Sequence, residues 1–349
     1  MLKEDVPTWN IAATRFIQGG RIQYLLSIPM SQLRRFLALD NYVSVMSRSQ
    51  RELKRYRVKK IVNYLIKSFD NKTPYFIPPL IANIDRDMNG DTNIGILKVP
   101  MDSIITLFDD QHRANAIIEF CKERVVHDWI SIKLTENLDL QTRQQFFSDI
   151  NSNASKTSAA INLAYNNRED YSHLTRYWIG KVKSISDYVD YENNVVPSKS
   201  SKLVSFKALY DATKRILGEC TETVLSETTK YQSTKIWEAW TYLIGLTEEY
   251  CTVRSLNYRK EHITLHAVLI NAFSFAVCEM MRETKDIVAK LNRVSCIIDE
   301  TKRDEFFRIE NWKSICVDPE RGTIRADLKS KRSAGSHLLN FINEVLVDN

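Results

Sequence analysis

The sequence predicts an α+β protein, with an N-terminal α/β domain over residues 1–165 and a mostly α-helical domain over 166–349. Three observations carry this. Only 9 Gly and 8 Pro punctuate 349 residues, which favours long helices over a many-turned β sandwich. Up to about residue 165, short β-branched runs alternate with amphipathic helical patterns. Beyond it, long helical patterns dominate.

In the first half, Arg21 to Ile28 reads as a strand ended by Pro29, and Ser31 to Ala38 as a helix. Arg48 to Ser68 reads as a longer helix with Val58, Ile61, Val62 and Leu65 on one face. Tyr75 to Ile84 is apolar and interrupted by Pro78 and Pro79, a strand reached through a Pro-rich bend. Asp87 to Gly95 is a polar turn, Ile104 to Phe108 a short β-branched run, and Ala114 to Cys121 a helix. Trp129 to Leu134 is a further strand and Gln141 to Ile150 a further helix. In the second half, helices are expected over Leu203–Leu217, Lys235–Tyr250, Glu261–Arg282, Arg303–Cys316 and His337–Leu346. Tyr191 to Lys202 is the best loop candidate there.

Hydrophobic residues make up 44% of the chain and charged residues 26%, the balance of a soluble globular protein. The formal net charge is +6, with a sequence pI of about 8.8. That excess is compatible with a phosphate-bearing partner, so where it clusters matters more than its size. The six cysteines form no Cys-x-x-Cys pair, and the N-terminus is polar and acidic rather than that of a signal peptide. Both point to reduced thiols in the cytoplasm. The most apolar stretch, Ala267 to Met281, is too short to span a bilayer.

The sharpest local feature is Asp109-Asp110-Gln111-His112-Arg113-Ala114, placed where a strand is expected to turn into a helix. A helix N-terminus has free backbone N–H groups and the positive end of the dipole, so it can hold an anion. His112 and Arg113 would add donors beside it, and Asp109 or Asp110 can cap the helix through N–H groups two or three residues on. The bland alternative is a cap of aspartates with His112 and Arg113 solvated.

A second feature is density of charge. Arg48, Arg51, Lys54, Arg55, Arg57, Lys59 and Lys60 fall within thirteen residues against one acid, Glu52. Arg51 and Arg55 are four apart and share a helix face. Such a cluster could neutralise several DNA phosphates and would make binding salt-dependent. It could equally be a solvated surface whose stems cover the core edge. A smaller basic group, Lys329, Lys331 and Arg332, is expected in a Ser/Gly-containing loop.

The Asp109–Arg113 segment resembles the Asp-Gly-Gln-His-Arg signature of DGQHR-domain proteins, which include the DNA sulfur modification protein DndB family. More distantly it is similar to the phosphate-binding turn of the ParB/sulfiredoxin-like superfamily. The surroundings fit in order. Ile28-Pro29, the Arg-rich stretch from Gln50-Arg51 to Arg57, Phe76-Ile77-Pro78-Pro79-Leu80, and Phe146-Phe147-Ser148-Asp149-Ile150-Asn151 each resemble a family segment. The resemblance covers roughly residues 20 to 165. It implies a ParB/sulfiredoxin-like N-terminal domain, with Asp109, Asp110, Gln111, His112, Arg113 and Asn151 as its phosphate-facing positions. It also implies a regulator that binds double-stranded promoter DNA of a DNA phosphorothioation cluster and represses it, as a homo-oligomer with other modification proteins as possible partners. One departure is that the family's Gly is Asp110 here. Gly permits positive φ and close backbone approach, whereas Asp adds a negative charge beside the supposed anion site.

No cofactor and no metal are expected. His262 and His266 have metal-ligand spacing on an expected helix, but no third ligand is evident. No Walker A loop or Gly-x-Ser-x-Gly elbow is present, so no conventional catalytic residue is assigned. The alternatives from other classes are a ParB-like nucleoside triphosphatase switch, and a scaffold of the modification machinery docking through its helical half.

Overall fold

The computed structural model describes residues 6–37, 53–88, 95–108, 110–152, 157–218, 224–246, 257–284 and 286–347. It divides into two compact units, Met1–Ser155 and Lys156–Asn349.

The first unit is built on a six-stranded sheet. Strands β1 (Thr8–Gln18) and β2 (Arg21–Pro29) form an antiparallel hairpin. Its two-residue turn is Gly19-Gly20, both at positive φ (59° and 73°), as a hairpin turn matching strand twist requires. A 3-10 turn over Met30–Gln32 leads into α1 (Leu33–Phe36), and α2 spans Arg55–Asp70. Then come β3 (Leu80–Ile84), β4 (Ile96–Pro100), β5 (Ile105–Leu107), α3 (Gln111–Glu123), β6 (Trp129–Glu136) and α4 (Leu140–Ser152). The strand order is β4-β1-β2-β6-β3-β5. Among the described strands of this sheet only β3 and β6 pair in parallel, with Ala82 opposite Leu134. Parallel neighbours need a crossover, and here it carries β4, β5 and α3.

One sheet face is apolar. Tyr24, Leu26 and Ile28 on β2, Ile130, Ile132 and Leu134 on β6, and Leu80, Ala82 and Ile84 on β3 are buried at the period of two that a strand demands. Ala114, Ile117, Ile118 and Phe120 of α3 complete that core. Helix α2 packs on α3 through Val58, Val62 and Ala116.

The second unit contains α5 (Ala159–Tyr165), α6 (Asp170–Lys181), α7 (Lys183–Ser186) and a two-residue parallel bridge of β7 (Val189–Asp190) with β8 (Val204–Ser205). Helices α8 (Phe206–Leu217), α9 (Glu227–Leu243), α10 (257–261), α11 (Ala267–Glu283), α12 (Ile287–Ile297), α13 (Glu300–Phe307) and α14 (Leu328–Val347) follow. Side chains of Ser158, Glu169, Ser205, Ser226, Asp286 and Asp299 cap α5, α6, α8, α9, α12 and α13. The aliphatic core holds a cluster of aromatic rings. Trp178 and Trp237 stack with centroids 4.5 Å apart, and both indole Nε1–H groups donate to Thr213 Oγ1, at 3.1 and 3.2 Å. Trp240 packs on Phe273 at 4.4 Å.

The architecture is α+β. Several expected boundaries move. The long basic helix begins at Arg55, with Lys54 as its N-cap; Arg48 and Arg51 lie outside the described residues. The helix expected from Glu261 begins at Ala267 behind a turn, and the one expected over Arg303–Cys316 stops at Phe307, followed by a 3-10 turn over Ile309–Trp312. The expected loop at Lys329–Arg332 is instead the start of α14. No helix among the described residues is long and apolar enough to cross a membrane.

Candidate nucleic-acid interface

The signature sits between β5 and α3, as the pattern requires. Phe108 is buried, and its N–H donates to Ile81 O on β3 at 3.0 Å, fixing the start of the turn. Asp109 lies outside the described residues. Asp110, the N-cap of α3, has φ 73° and ψ 8°, the left-handed conformation that glycine adopts without steric cost. Asp110 thus adopts a backbone state open to the glycine that the resemblance places at this position.

Asp110 does not cap α3, contrary to expectation: its side chain accepts no N–H of that helix. The carboxylate turns instead to Arg113, one turn on, and forms an ion pair with it. Left-handed backbone points the side chain away from the first-turn N–H groups, which is why the pair forms and the cap does not. Arg113 also donates from Nη1 to Pro78 O at 3.2 Å. The guanidinium therefore fastens the helix start to the Pro-rich approach to β3.

His112 makes the connection that unites the two sequence features. Its Nε2 accepts the backbone N–H of Lys54 at 3.0 Å. Lys54 is the N-cap of α2 and supplies no side-chain cap of its own, so the imidazole satisfies a donor left over at that helix start. Nε2 is the acceptor, so the ring proton sits on Nδ1. The basic helix and the signature turn thus present their N-termini side by side. Lys54, Arg55, Arg57, Lys59 and Lys60 are exposed, and no acid stands in the first turn of α2. Among the described residues none of these five is held in an ion pair. Arg57 Nε donates to the Tyr56 hydroxyl at 3.2 Å, and that hydrogen bond, with the Arg57 charge, draws the phenol below its ordinary pKa.

The downstream segment arrives beside the turn as well. Phe146 of α4 packs edge-on against Phe108 with centroids 6.1 Å apart, and Arg143 Nη1 donates to Thr106 Oγ1 on β5 at 3.2 Å. Asn151 donates from Nδ2 to Phe147 O of its own helix at 2.8 Å.

The family model of DndB, described as DNA-sulfur modification-associated, matches residues 11–317. The chain belongs to the DndB family. Membership associates it with DNA sulfur modification and extends the family likeness from the first unit well into the second. No curated protein and no solved structure matches the chain.

In this DndB-family chain the remaining candidates separate. His262 and His266 do not share a helix face, as was expected of them. His262 precedes the turn and meets Asp304 through Nε2 at 2.8 Å, whereas His266 is the N-cap of α11 and meets Arg259 O at 2.8 Å. Burial pushes His266 down to about 4. Cys121, Cys278, Cys296 and Cys316 are free thiols, and burial raises Cys316 to about 12, the state of an inert core thiol. Two features escaped the sequence reading. One is a cleft of about 740 Å³ beside β6, where Phe76 and Trp129 are 77% and 62% exposed. The other is Arg215, which follows Lys214 in the last turn of α8, and nothing in the sequence marks its surroundings.

Proposed function

We propose that this DndB-family protein is a cytoplasmic regulator that binds double-stranded promoter DNA of its phosphorothioation cluster and represses it as a homo-oligomer, alongside other modification proteins. The observation that carries DNA contact is the His112–Lys54 bond, which sets the start of the basic helix against the signature turn. Two helix N-termini then lie beside the exposed Arg55 and Lys59, which share one flank of α2, while Arg57 and Lys60 lie on another; helix dipole and the Arg55 charge act on phosphates at that start. Promoter choice and repression rest on the family. Arg113 is held by Asp110 and Pro78, so it serves better as a positioning residue than as a nucleotide clamp, which weighs against the triphosphatase reading.

The test is a gel shift on promoter and scrambled DNA across a salt series. Arg55→Ala with Lys59→Ala, four apart on one helix, should weaken binding and flatten the slope of log K against log salt by up to about two contacts' worth. Unchanged affinity and slope, with an unchanged circular dichroism spectrum, would place DNA elsewhere.

A further inference from the structure

A second cationic site is built into the helical unit. Arg215 lies in the last turn of α8 and is half-buried. Its Nη1 donates to Asn271 Oδ1 at 2.9 Å and Ser274 Oγ at 2.8 Å, two buried side chains of α11. Its guanidinium carbon stands 4.3 Å from the centroid of the Phe275 ring. Arg332, near the start of α14, reaches the same ring at 5.9 Å. Two guanidinium groups therefore share one aromatic ring.

The helix crossing enforces this proximity. A Cβ at Gly335 would stand 2.9 Å from Phe275 Cβ and 3.0 Å from Ala272 O. Glycine lets α14 lie on α11 at that point, one turn beyond Arg332. The rest of the site's charge is balanced. Arg282 pairs with Glu279 at 2.7 Å, and Asp211 is engaged by Lys207 at 2.5 Å. No carboxylate among the described residues forms an ion pair with Arg215 or Arg332. Between them opens a cleft of about 470 Å³, lined also by Cys278, Ser336, Leu339 and the Glu279–Arg282 pair, whose carboxylate is thus matched by its own cation.

Two like charges at one ring and one cleft, one of them half-buried, repel each other, and an anion that joins them offsets that repulsion. Burial draws Arg215 below its usual range; Asp211 and Cys278 oppose the shift, and the Arg332 charge adds to it. Paired guanidinium forks match the oxygens of a phosphate, and the cleft has the volume of a small-ligand pocket. We infer that the cleft between α8, α11 and α14 binds the phosphate group of a small phosphorylated ligand, up to a mononucleotide in size, between Arg215 and Arg332. This site stands apart from the DNA reading.

Isothermal titration of the full chain with inorganic phosphate and with adenosine monophosphate, at constant ionic strength, tests it. Saturable one-to-one binding is expected. The exposed Arg332→Gln change should weaken it roughly ten- to hundredfold, and Arg332→Glu should abolish it, both without loss of thermal stability. Arg215→Lys keeps the charge and loses the fork, and should also weaken binding. Equal affinity for the two probes assigns the site to free phosphate, and tighter adenosine monophosphate assigns it to nucleotides. Absence of saturable binding at millimolar concentrations, or binding unaffected by Arg332→Glu, overturns the inference. A gel shift of Arg332→Gln keeps the two readings apart. Full DNA affinity is expected, and weakened DNA binding with no probe titration would assign these arginines to DNA instead.

Discussion

His112 of the signature holds the backbone N–H of Lys54, so the first turn of α3 fixes where α2 begins. The interaction spans 58 positions of sequence and joins the two segments that stood out separately for charge and for motif. It makes His112 a positioning residue, because the ring nitrogen facing Lys54 is committed to the chain itself.

Replacing His112 by Ala should therefore lower stability by about 1 kcal/mol or less, the scale of a lost helix cap at an exposed site. DNA affinity should fall while the salt slope stays that of the wild type, since no phosphate contact is removed. A gel-shift salt series separates this from Arg55→Ala with Lys59→Ala, which should change the slope. A reduced slope in His112→Ala would mean that the ring itself meets a phosphate.

Asp110 offers a test of backbone state. At φ 73°, alanine bears a cost of about 1–2 kcal/mol that glycine does not. Both Asp110→Gly and Asp110→Ala remove the pair with Arg113. The glycine variant should consequently be the more stable of the two by about 1 kcal/mol in urea denaturation. It should also bind DNA more tightly than the wild type, because a negative charge beside the turn is gone. Equal midpoints for the two variants would argue against a left-handed residue at this position.

How much of this was legible varies with the range of the forces involved. The signature, the apolar face of α2 and most strands follow from local periodicity. Strand β1 was missed, because its residues 8–18 are mostly exposed and do not alternate cleanly, although Gly19-Gly20 is a hairpin signal. The boundary errors near Glu261 and Arg303 share one cause. Helical composition continues across turns that tertiary contacts impose, such as the bridge between His262 and Arg308. The His112–Lys54 bond, the ion pair that displaces the Asp110 cap, and the Arg215–Arg332 pairing needed three-dimensional proximity that no spacing rule supplies.

Thr213 carries a large share of the second unit's polar order. Thr213→Val preserves shape and removes the acceptor for both Trp178 and Trp237. Two buried indole N–H groups would be left without it, at about 1–3 kcal/mol each. Chemical denaturation should show a loss of about 2–5 kcal/mol; a loss under 1 kcal/mol would mean that another acceptor takes over.

The buried His266 predicts a pH dependence. Its folded pKa, pushed down by burial to about 4, lies below the ordinary 6.5. The unfolded chain therefore takes up this proton first. The contribution to stability is whole above about pH 6.5 and is lost progressively as pH falls toward 4, at most about 3 kcal/mol. His266→Gln should flatten the stability profile in that window relative to wild type. Parallel profiles from urea titrations at stepped pH would show that His266 does not titrate there.

Strand β6 stands between β2 and β3 in the sheet of the first unit, so its late place in the sequence sets the order in which that sheet can be assembled. The β1–β2 hairpin closes locally, yet its other wall is β6, and the hydrogen bond between Ser27 and Ser131 spans 104 residues. On a ribosome, the hairpin is made long before the strand that completes its sheet. Until β6 emerges, the β2 edge is an unpaired template of the kind that captures foreign strands. Folding of this unit is accordingly governed by distant contacts and is slow for its size, and the interval before β6 is made is its period of greatest exposure to aggregation.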